Sequence, residues 1–505
     1  MAEFQMTIDG KAVSAPETFG VIDPSQGKPF AKAPECSRAQ LDAAMDSAAQ
    51  AFRHWRRDEA RRRQALRDCA AALRARANDL GRVLTQEQGK PLAKGIGEIH
   101  GAAFWFDFTA TLELPVEVVQ DDASKRVEVR RRPLGVVGAI TPWNFPVILA
   151  SWKIAPALLA GNTVVIKPSP FTPLSTLALG EALRSVLPPG VLNVVSGGDA
   201  LGAWVSTHPA VRKISFTGSV STGKKVAAAA APDLKRITLE LGGNDPAIIL
   251  PDVEPKQIAE KLFWGAFENS GQVCSAVKRV YVHESKQKAL LEELAQLART
   301  VKVGPGLEAD TQLGPINNRP QYERVCGLVE DALKAGARAV AGGKPAGRDG
   351  YFFQPTILTD VAEGMRIVDE EQFGPALPVL TYRDVDDAVE RANATMFGLS
   401  GSVWSSDPAR GRRRGAARVR HRLGEPTPRH PADRALWRRE VVGHRRRERP
   451  LGPARLQRDA GDRHREGVSR AGLGDSPSLA ALRLHGAAPD ATRRLHSSSR
   501  RSSAV

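Results

Sequence analysis

Three side chains stand in settings suited to acyl chemistry. "NSGQVC" ends at Cys274, a lone cysteine on a loop bearing Gly and Ser. Such a thiol is a nucleophile where its thiolate is stabilised, and otherwise a small buried hydrophobe. In "LELGGNDP", Glu240 follows a β-like run and precedes Gly242 and Gly243. A carboxylate held against apolar neighbours keeps its proton to higher pH, which suits a general base; a solvated strand-end Glu does not. "TPWNFP" sets Asn144 between two prolines that stiffen the turn. An amide fixed there can donate to a developing oxyanion, or merely cap the turn.

Other stretches could meet a phosphate-bearing ligand. "SFTGSVSTG" follows a predicted strand and opens a predicted helix. Its Gly218 and Gly223 are five apart, so the G-x-G-x-x-G fingerprint is absent. Glycines at that place still let a pyrophosphate approach the amides of a helix N-terminus. "VVIKPSP" puts Lys167 at a strand end, where a ribose or phosphate could meet it; the alternative is a lysine lying along the surface. "EEQFGP" supplies Glu371 and Phe373, either a cofactor clamp or a turn with a packed aromatic.

The elements that must carry these residues follow from periodicity. Apolar positions recur at three- and four-residue spacing over 39–100, which predicts helices. In 115–134, Val, Glu and Arg alternate around "QDDASK", which predicts an exposed hairpin of the kind that docks on another chain. From 135, the β-branched runs "GVVGAI", "NTVVIK", "VLNVVSG", "KISFTG" and "PAIIL" alternate with helical segments, which predicts a parallel α/β sheet. A second α/β pattern follows, through "RVYVHE", "GYFFQPTILTDV" and "ALPVLTYRDVDDAVERANAT".

Together and in this order, the motifs resemble the NAD(P)-dependent aldehyde dehydrogenase superfamily over about residues 18–410. The marks are "TPWNFP", "KPSP" followed by "TPL", "FTGS" with Gly223, "LELGG" with "GQVC" 34 residues on from Glu240, and "E.FGP". The resemblance implies an α/β fold in three parts: a Rossmann-like parallel-sheet coenzyme domain (1–114 and 135–241), an oligomerisation hairpin (115–134) and a second α/β catalytic domain (242–410). It implies that Cys274 attacks an aldehyde, that Asn144 and the Cys274 amide bind the oxyanion, and that Glu240 activates the hydrolytic water. It assigns the cofactor to Trp143, Lys167, Ser169, Gly218, Ser219, Gly223, Glu371 and Phe373, and the aldehyde tunnel to Trp152 and Phe145. A homodimer or homotetramer is implied. Many NAD-preferring members carry a Glu three residues after the lysine; here Pro170 stands there. NAD is the expected coenzyme, with NADP left open, and no metal is expected.

Composition bounds the rest. The 505 residues are 42% hydrophobic and 25% charged, ordinary for a globular chain. Four dispersed cysteines show no metal-ligand spacing and fit a reduced compartment. The start has no apolar signal segment, and Val147–Ile166 fails as a membrane span because Lys153, Pro156, Gly161 and Asn162 interrupt it. A cytoplasmic protein is expected, acting on a small-molecule aldehyde, with neither a membrane nor nucleic acid as partner.

The charge is lopsided. Residues 411–505 hold 24 Arg, no Lys and nine acidic residues, so +15 of the net +16 sits there. Three readings compete: a nucleic-acid arm, a disordered tail, or translation out of frame. The family's closing motifs, a "W-V-N" segment and a Gly-rich "F-G-G-x-K-x-S-G" segment, are missing as written. Moved forward by one nucleotide, the codons of "LGEPT" admit W-V-N-Q-H, and those of "LWRREVVGHRRRERPLG" admit F-G-G-V-K-S-S-G-I-G-V-E-N-G-P-L-G. Trp437 is TGG, which forces the next shifted codon to glycine. The out-of-frame reading is therefore preferred from about residue 411, and the chain as written is expected to be unstable or inactive. The alternatives are a nucleic-acid-binding protein that uses the tail and a catalytically dead binding relative.

Overall fold

The computed structural model describes residues 4–407. The arginine-rich segment and the frame-shift reading lie outside the described residues. The chain opens with two antiparallel pairs, β1 (Met6–Ile8) with β2 (Lys11–Val13) and β3 (Thr18–Asp23) with β4 (Lys28–Pro34). Periodicity did not predict these strands, because they are short and Gly20, Pro29 and Pro34 break their alternation.

The helical stretch is four helices: α1 (Arg38–Trp55), α2 (Glu59–Ala75), α3 (Ala77–Gln88) and α4 (Leu92–Thr111). The breaks have local causes. Ser37 and Gln40 form a capping box before α1. Asp58 accepts from the Arg61 N–H at the start of α2. Gly89, at φ 99, ends α3.

Next comes the hairpin, β5 (Glu117–Asp121) and β6 (Arg126–Val129). Asp122 closes it by accepting from the N–H groups of Ser124 at 2.8 Å and Lys125 at 3.1 Å. Val116, Val118, Val119, Val127 and Val129 are exposed on it. Among the described residues, β5 and β6 pair only with each other.

The first α/β run is β7 (Val136–Ile140), α5 (Pro146–Leu159), β8 (Thr163–Lys167), α6 (Leu174–Leu183), β9 (Leu192–Val194), α7 (Asp199–Thr207), β10 (Val211–Thr217), α8 (Val220–Ala230) and β11 (Arg236–Glu240). Its sheet has the order β11-β10-β7-β8-β9-β1-β2, parallel from β11 to β9. The chain builds outward on one side from β7 to β9 and then on the other from β10 to β11. The order reverses between β7 and β10, where open α/β sheets hold ligands at their carboxyl ends.

The second run is β12 (Asp245–Ile249), α9 (Pro255–Phe267), β13 (Val277–His283), α10 (Glu284–Thr300), α11 (Arg319–Lys334), β14 (Arg338–Ala341), β15 (Thr356–Thr359), α12 (Arg366–Asp369), β16 (Ala376–Tyr382), α13 (Val385–Asn393) and β17 (Ser402–Trp404). The sheet order is β14-β15-β16-β13-β12-β17, with only β14 antiparallel. "PAIIL" contributes β12, so it belongs here and not with the first run. The Gly242–Gly243 step after β11 redirects the chain, and nearness in sequence is not nearness in the sheet. Ile248 packs into the core on one face of this sheet, Ala247 and Ile249 into the core on the other. This is the two-residue alternation of a strand covered on both sides.

Candidate active site

The chemistry-bearing residues gather on a seam between the two sheets. Asn144 follows β7, Gly218 and Ser219 follow β10, and Glu240 ends β11, all at carboxyl ends. From the other side come residues that precede strands: Gly243 before β12, Cys274 before β13, Glu371 and Phe373 before β16. Asn144 Nδ2 donates to the Gln272 carbonyl at 2.9 Å. The Gly243 N–H donates to Glu371 Oε1 at 3.1 Å. A Cβ on Gly243 would stand 2.6 Å from the Cys274 carbonyl oxygen, so only glycine lets these segments touch.

The loop leading to the cysteine is strained. Asn269 (φ 53), Ser270 (φ 55) and Gly271 (φ 74) are consecutive left-handed residues. Such a conformation costs a non-glycine residue about 1–2 kcal/mol. Two side-chain bonds hold it: Asn269 Nδ2 to the Asn144 carbonyl at 3.0 Å, and Ser270 Oγ to the Gly314 carbonyl at 2.7 Å. Cys274 is half-buried at the end of this loop. Phe373 is also left-handed, at φ 49, and its carbonyl accepts from Gln321 at 3.1 Å.

Charges surround the seam. Lys278 donates to the carbonyls of Val273 at 2.7 Å and Cys274 at 3.1 Å, and its Nζ is 3.6 Å from Glu371 Oε1. Burial pushes the Glu371 carboxyl above its usual range, opposed by Lys278. Burial lifts Asp245, beneath Gly243, to about 7. Of the two settings weighed for Glu240, it has the more solvated: it is half-exposed at the strand end. It also has a cation. Lys153 on α5 is buried, donates to Thr217 Oγ1 at 2.7 Å, and is pushed down to about 8 by burial, with the charge of Glu240 opposing the shift. Sequence reading gave neither Lys153 nor Lys278 a place at the site. The available signal was a single lysine inside each of the apolar runs "SWKIAPALL" and "AVKRVYV".

The residues expected to meet a dinucleotide line the carboxyl ends of the first sheet. Lys167 is buried rather than lying along the surface. Its Nζ donates to the Pro168 carbonyl at 3.1 Å, and burial brings it to about 8, opposed by Asp199 and Glu35. Ser169 is buried and accepts from the Phe171 N–H at 3.3 Å. Ser219 caps α8 by accepting from the Thr222 N–H, and Gly223 is buried against Leu241. A buried cation and a helix N-terminus on either side of the strand-order reversal fit a pyrophosphate and its ribose. Trp143 and Phe373 meet edge to face at 5.1 Å between centroids, a pair that spans the seam. The Phe145 ring lies beneath the Lys90 ammonium, 3.9 Å away. Trp152 packs against Trp105 of α4 at 5.5 Å, among core residues.

Comparison with known proteins shows the family. The family model "Aldehyde dehydrogenase family" matches residues 12–419. The chain belongs to the aldehyde dehydrogenase family. A 3-sulfolactaldehyde dehydrogenase of Pseudomonas putida is 40% identical over 414 residues, covering 80% of this chain and 85% of that protein. A succinate-semialdehyde dehydrogenase [NADP(+)] of Escherichia coli is 38% identical over 414 residues, covering 80% and 86%. The NAD+ complex of an aldehyde dehydrogenase from Bacillus cereus superposes with a TM-score of 0.82 at 33% identity, covering 85% of this chain and 90% of that one. Like those family members, the chain is an oxidoreductase of the aldehyde group. No helix among the described residues is long and apolar enough to cross a membrane.

Proposed function

We propose that this chain oxidises an aldehyde to a carboxylic acid through a thioester on Cys274. The observation that carries the reading is the joining of the strained cysteine loop to Asn144, through the Gln272 carbonyl on one side and Asn269 on the other. Cys274 Sγ adds to the aldehyde carbon, and the new oxyanion is met by the Asn144 amide and the Cys274 N–H. A nicotinamide dinucleotide bound on Lys167, Ser169, Ser219 and the turn at Gly218 supplies the hydride acceptor, with Glu371, Trp143 and Phe373 around its nicotinamide end. Glu240 then takes a proton from water, which attacks the thioester carbon and releases the acid and the thiol. Phe145 and Trp152 line the aldehyde approach. NAD is the proposed coenzyme; Pro170 puts no carboxylate where a 2′-phosphate would be repelled, so NADP also fits.

The parts divide as 1–114 with 135–241 for coenzyme, 242–410 for catalysis and 115–134 for association into a dimer or tetramer. The proposed location is the cytoplasm. From about residue 411, we propose, the chain is read out of frame. What supports this is the shifted-codon match together with a family match that ends at residue 419. Resequencing the coding DNA across codons 400–470 tests it: one base gained or lost near codon 411 is expected, and an intact frame removes the idea. The activity test is reduction of NAD+ and NADP+ with an aldehyde panel that includes succinic semialdehyde and 3-sulfolactaldehyde, run on the written and frame-restored chains. The restored chain is expected to turn over and the written chain to be inactive or unstable. No reduced coenzyme from the restored chain would sink the functional reading.

A further inference from the structure

One buried ion pair lies beside the site, and the chemistry above makes no use of it. Lys90 sits in the connection from α3 to α4, and Glu98 is in the second turn of α4. Their side chains are 2% exposed each, and Lys90 Nζ is 2.5 Å from Glu98 Oε2. Burying two charges is expensive unless their remaining donors and lone pairs are also used. Here those groups go to the turn that carries Asn144. The second oxygen, Glu98 Oε1, accepts from the N–H groups of Val147 at 3.0 Å and Ile148 at 3.1 Å, in the first turn of α5. Lys90 donates to the Asn144 carbonyl at 3.0 Å and lies over the Phe145 ring. The pair therefore grips the Asn144 carbonyl and the residues that follow it. Asn269 of the cysteine loop donates to the same Asn144 carbonyl, so that oxygen is shared by the pair and by the strained loop.

We propose that Lys90 and Glu98 are positioning residues for Asn144, holding its amide where an oxyanion forms on a substrate bound to Cys274. This rests on the oxyanion role given to Asn144 above. A buried apolar pair would pack this corner as well; the two charges add a fixed direction. Lys90 sets the Asn144 backbone, and Glu98 sets the helix that follows it. The side-chain amide can then swing only within the width of the turn.

Two reactions of the same thiol separate this role from general support. p-Nitrophenyl acetate acylates Cys274: a C–S bond forms, the ester C–O bond breaks, p-nitrophenolate leaves, and the path crosses a tetrahedral oxyanion. Iodoacetamide alkylates it by displacing iodide at a saturated carbon, with no oxyanion. Neither reaction needs coenzyme; both are run on the frame-restored chain, the form expected to be active, with the rate of Cys274→Ala subtracted. Asn144→Ala is expected to slow acylation by about 100-fold and to leave alkylation within about twofold. Replacing both charges at once, Lys90→Met with Glu98→Gln, avoids a lone buried charge. It is expected to slow acylation about tenfold or more, again sparing alkylation. Lys90→Gln with Glu98→Gln, which restores a donor toward the Asn144 carbonyl, is expected to recover part of the loss.

If the double variant acylates like the wild type while Asn144→Ala does not, the positioning role is wrong. If acylation and alkylation fall together, the pair is only structural, and the proposal is overturned. If Asn144→Ala acylates normally, or the wild type alkylates but never acylates, the functional reading has failed and takes this one with it.

Discussion

The tasks proposed for Cys274 and Glu240 are separable, and single substitutions should separate them. Cys274→Ala is expected to abolish acyl transfer. Glu240→Gln is expected to let the thioester form but slow its hydrolysis by about 10²–10⁴-fold, seen as a burst of reduced coenzyme without turnover; equal loss of burst and turnover would remove Glu240 as the base. Lys153 gives a pH signature. Burial holds its folded pKa near 8, while the unfolded chain has the ordinary value of about 10.4. Between the two, the unfolded state binds the extra proton, so this lysine makes the wild type more stable as pH rises through that window. In Lys153→Met that gain is absent. Urea midpoints of the two proteins at pH 7 and pH 10 should therefore shift in favour of the wild type at the higher pH; a pH-independent difference would contradict the assignment.

Two segments show how local geometry sets the site. Gly271 has φ 74, and a Cβ there would collide with the Gly374 backbone carbonyl. Gly271→Ala therefore carries both strain and a backbone clash. It should cost about 2 kcal/mol or more, read from a denaturant midpoint, and lower Cys274 reactivity by displacing the loop. Glu87, at the end of α3, accepts from the N–H groups of Leu174 at 2.7 Å and Ser175 at 2.9 Å, at the start of α6. Burial lifts its carboxyl to about 8. From the usual glutamate value of about 4.3 up to 8, the folded state binds the extra proton, so stability falls as pH rises across that range. Glu87→Gln removes the titration. Its stability relative to wild type should rise between pH 5 and pH 8, and a flat difference would refute this account of the cap.

The association proposed for 115–134 is tested at the hairpin. Five valines on β5, β6 and the residue before β5 are exposed on a ribbon with no other strand beside it among the described residues. A two-stranded ribbon is marginal alone in water, and exposed apolar side chains concentrated on one mark a surface for association. Val118→Lys with Val127→Lys, placed in the frame-restored chain, should lower its mass in sedimentation from an oligomer to a monomer and leave the Cys274 alkylation rate unchanged. An unaltered mass would move the interface elsewhere.

The sequence alone determined the two α/β runs and the hairpin, because these leave local signals; Cys274 stood out only through the family resemblance. β-Branched runs and turn residues depend only on neighbours along the chain. It also located the break in charge near residue 410, which is a matter of composition. The tertiary structure alone decided that Lys167 is buried and that Glu240 is half-exposed beside Lys153. It alone brought Lys90 and Glu98 under the Asn144 turn. Each of these depends on a contact between segments far apart in the chain, such as Glu98 with Val147 or Asn144 with Gln272. Burial, which moves the lysines and carboxylates from their ordinary titration, is set by packing from both sheets and has no signature in the order of residues.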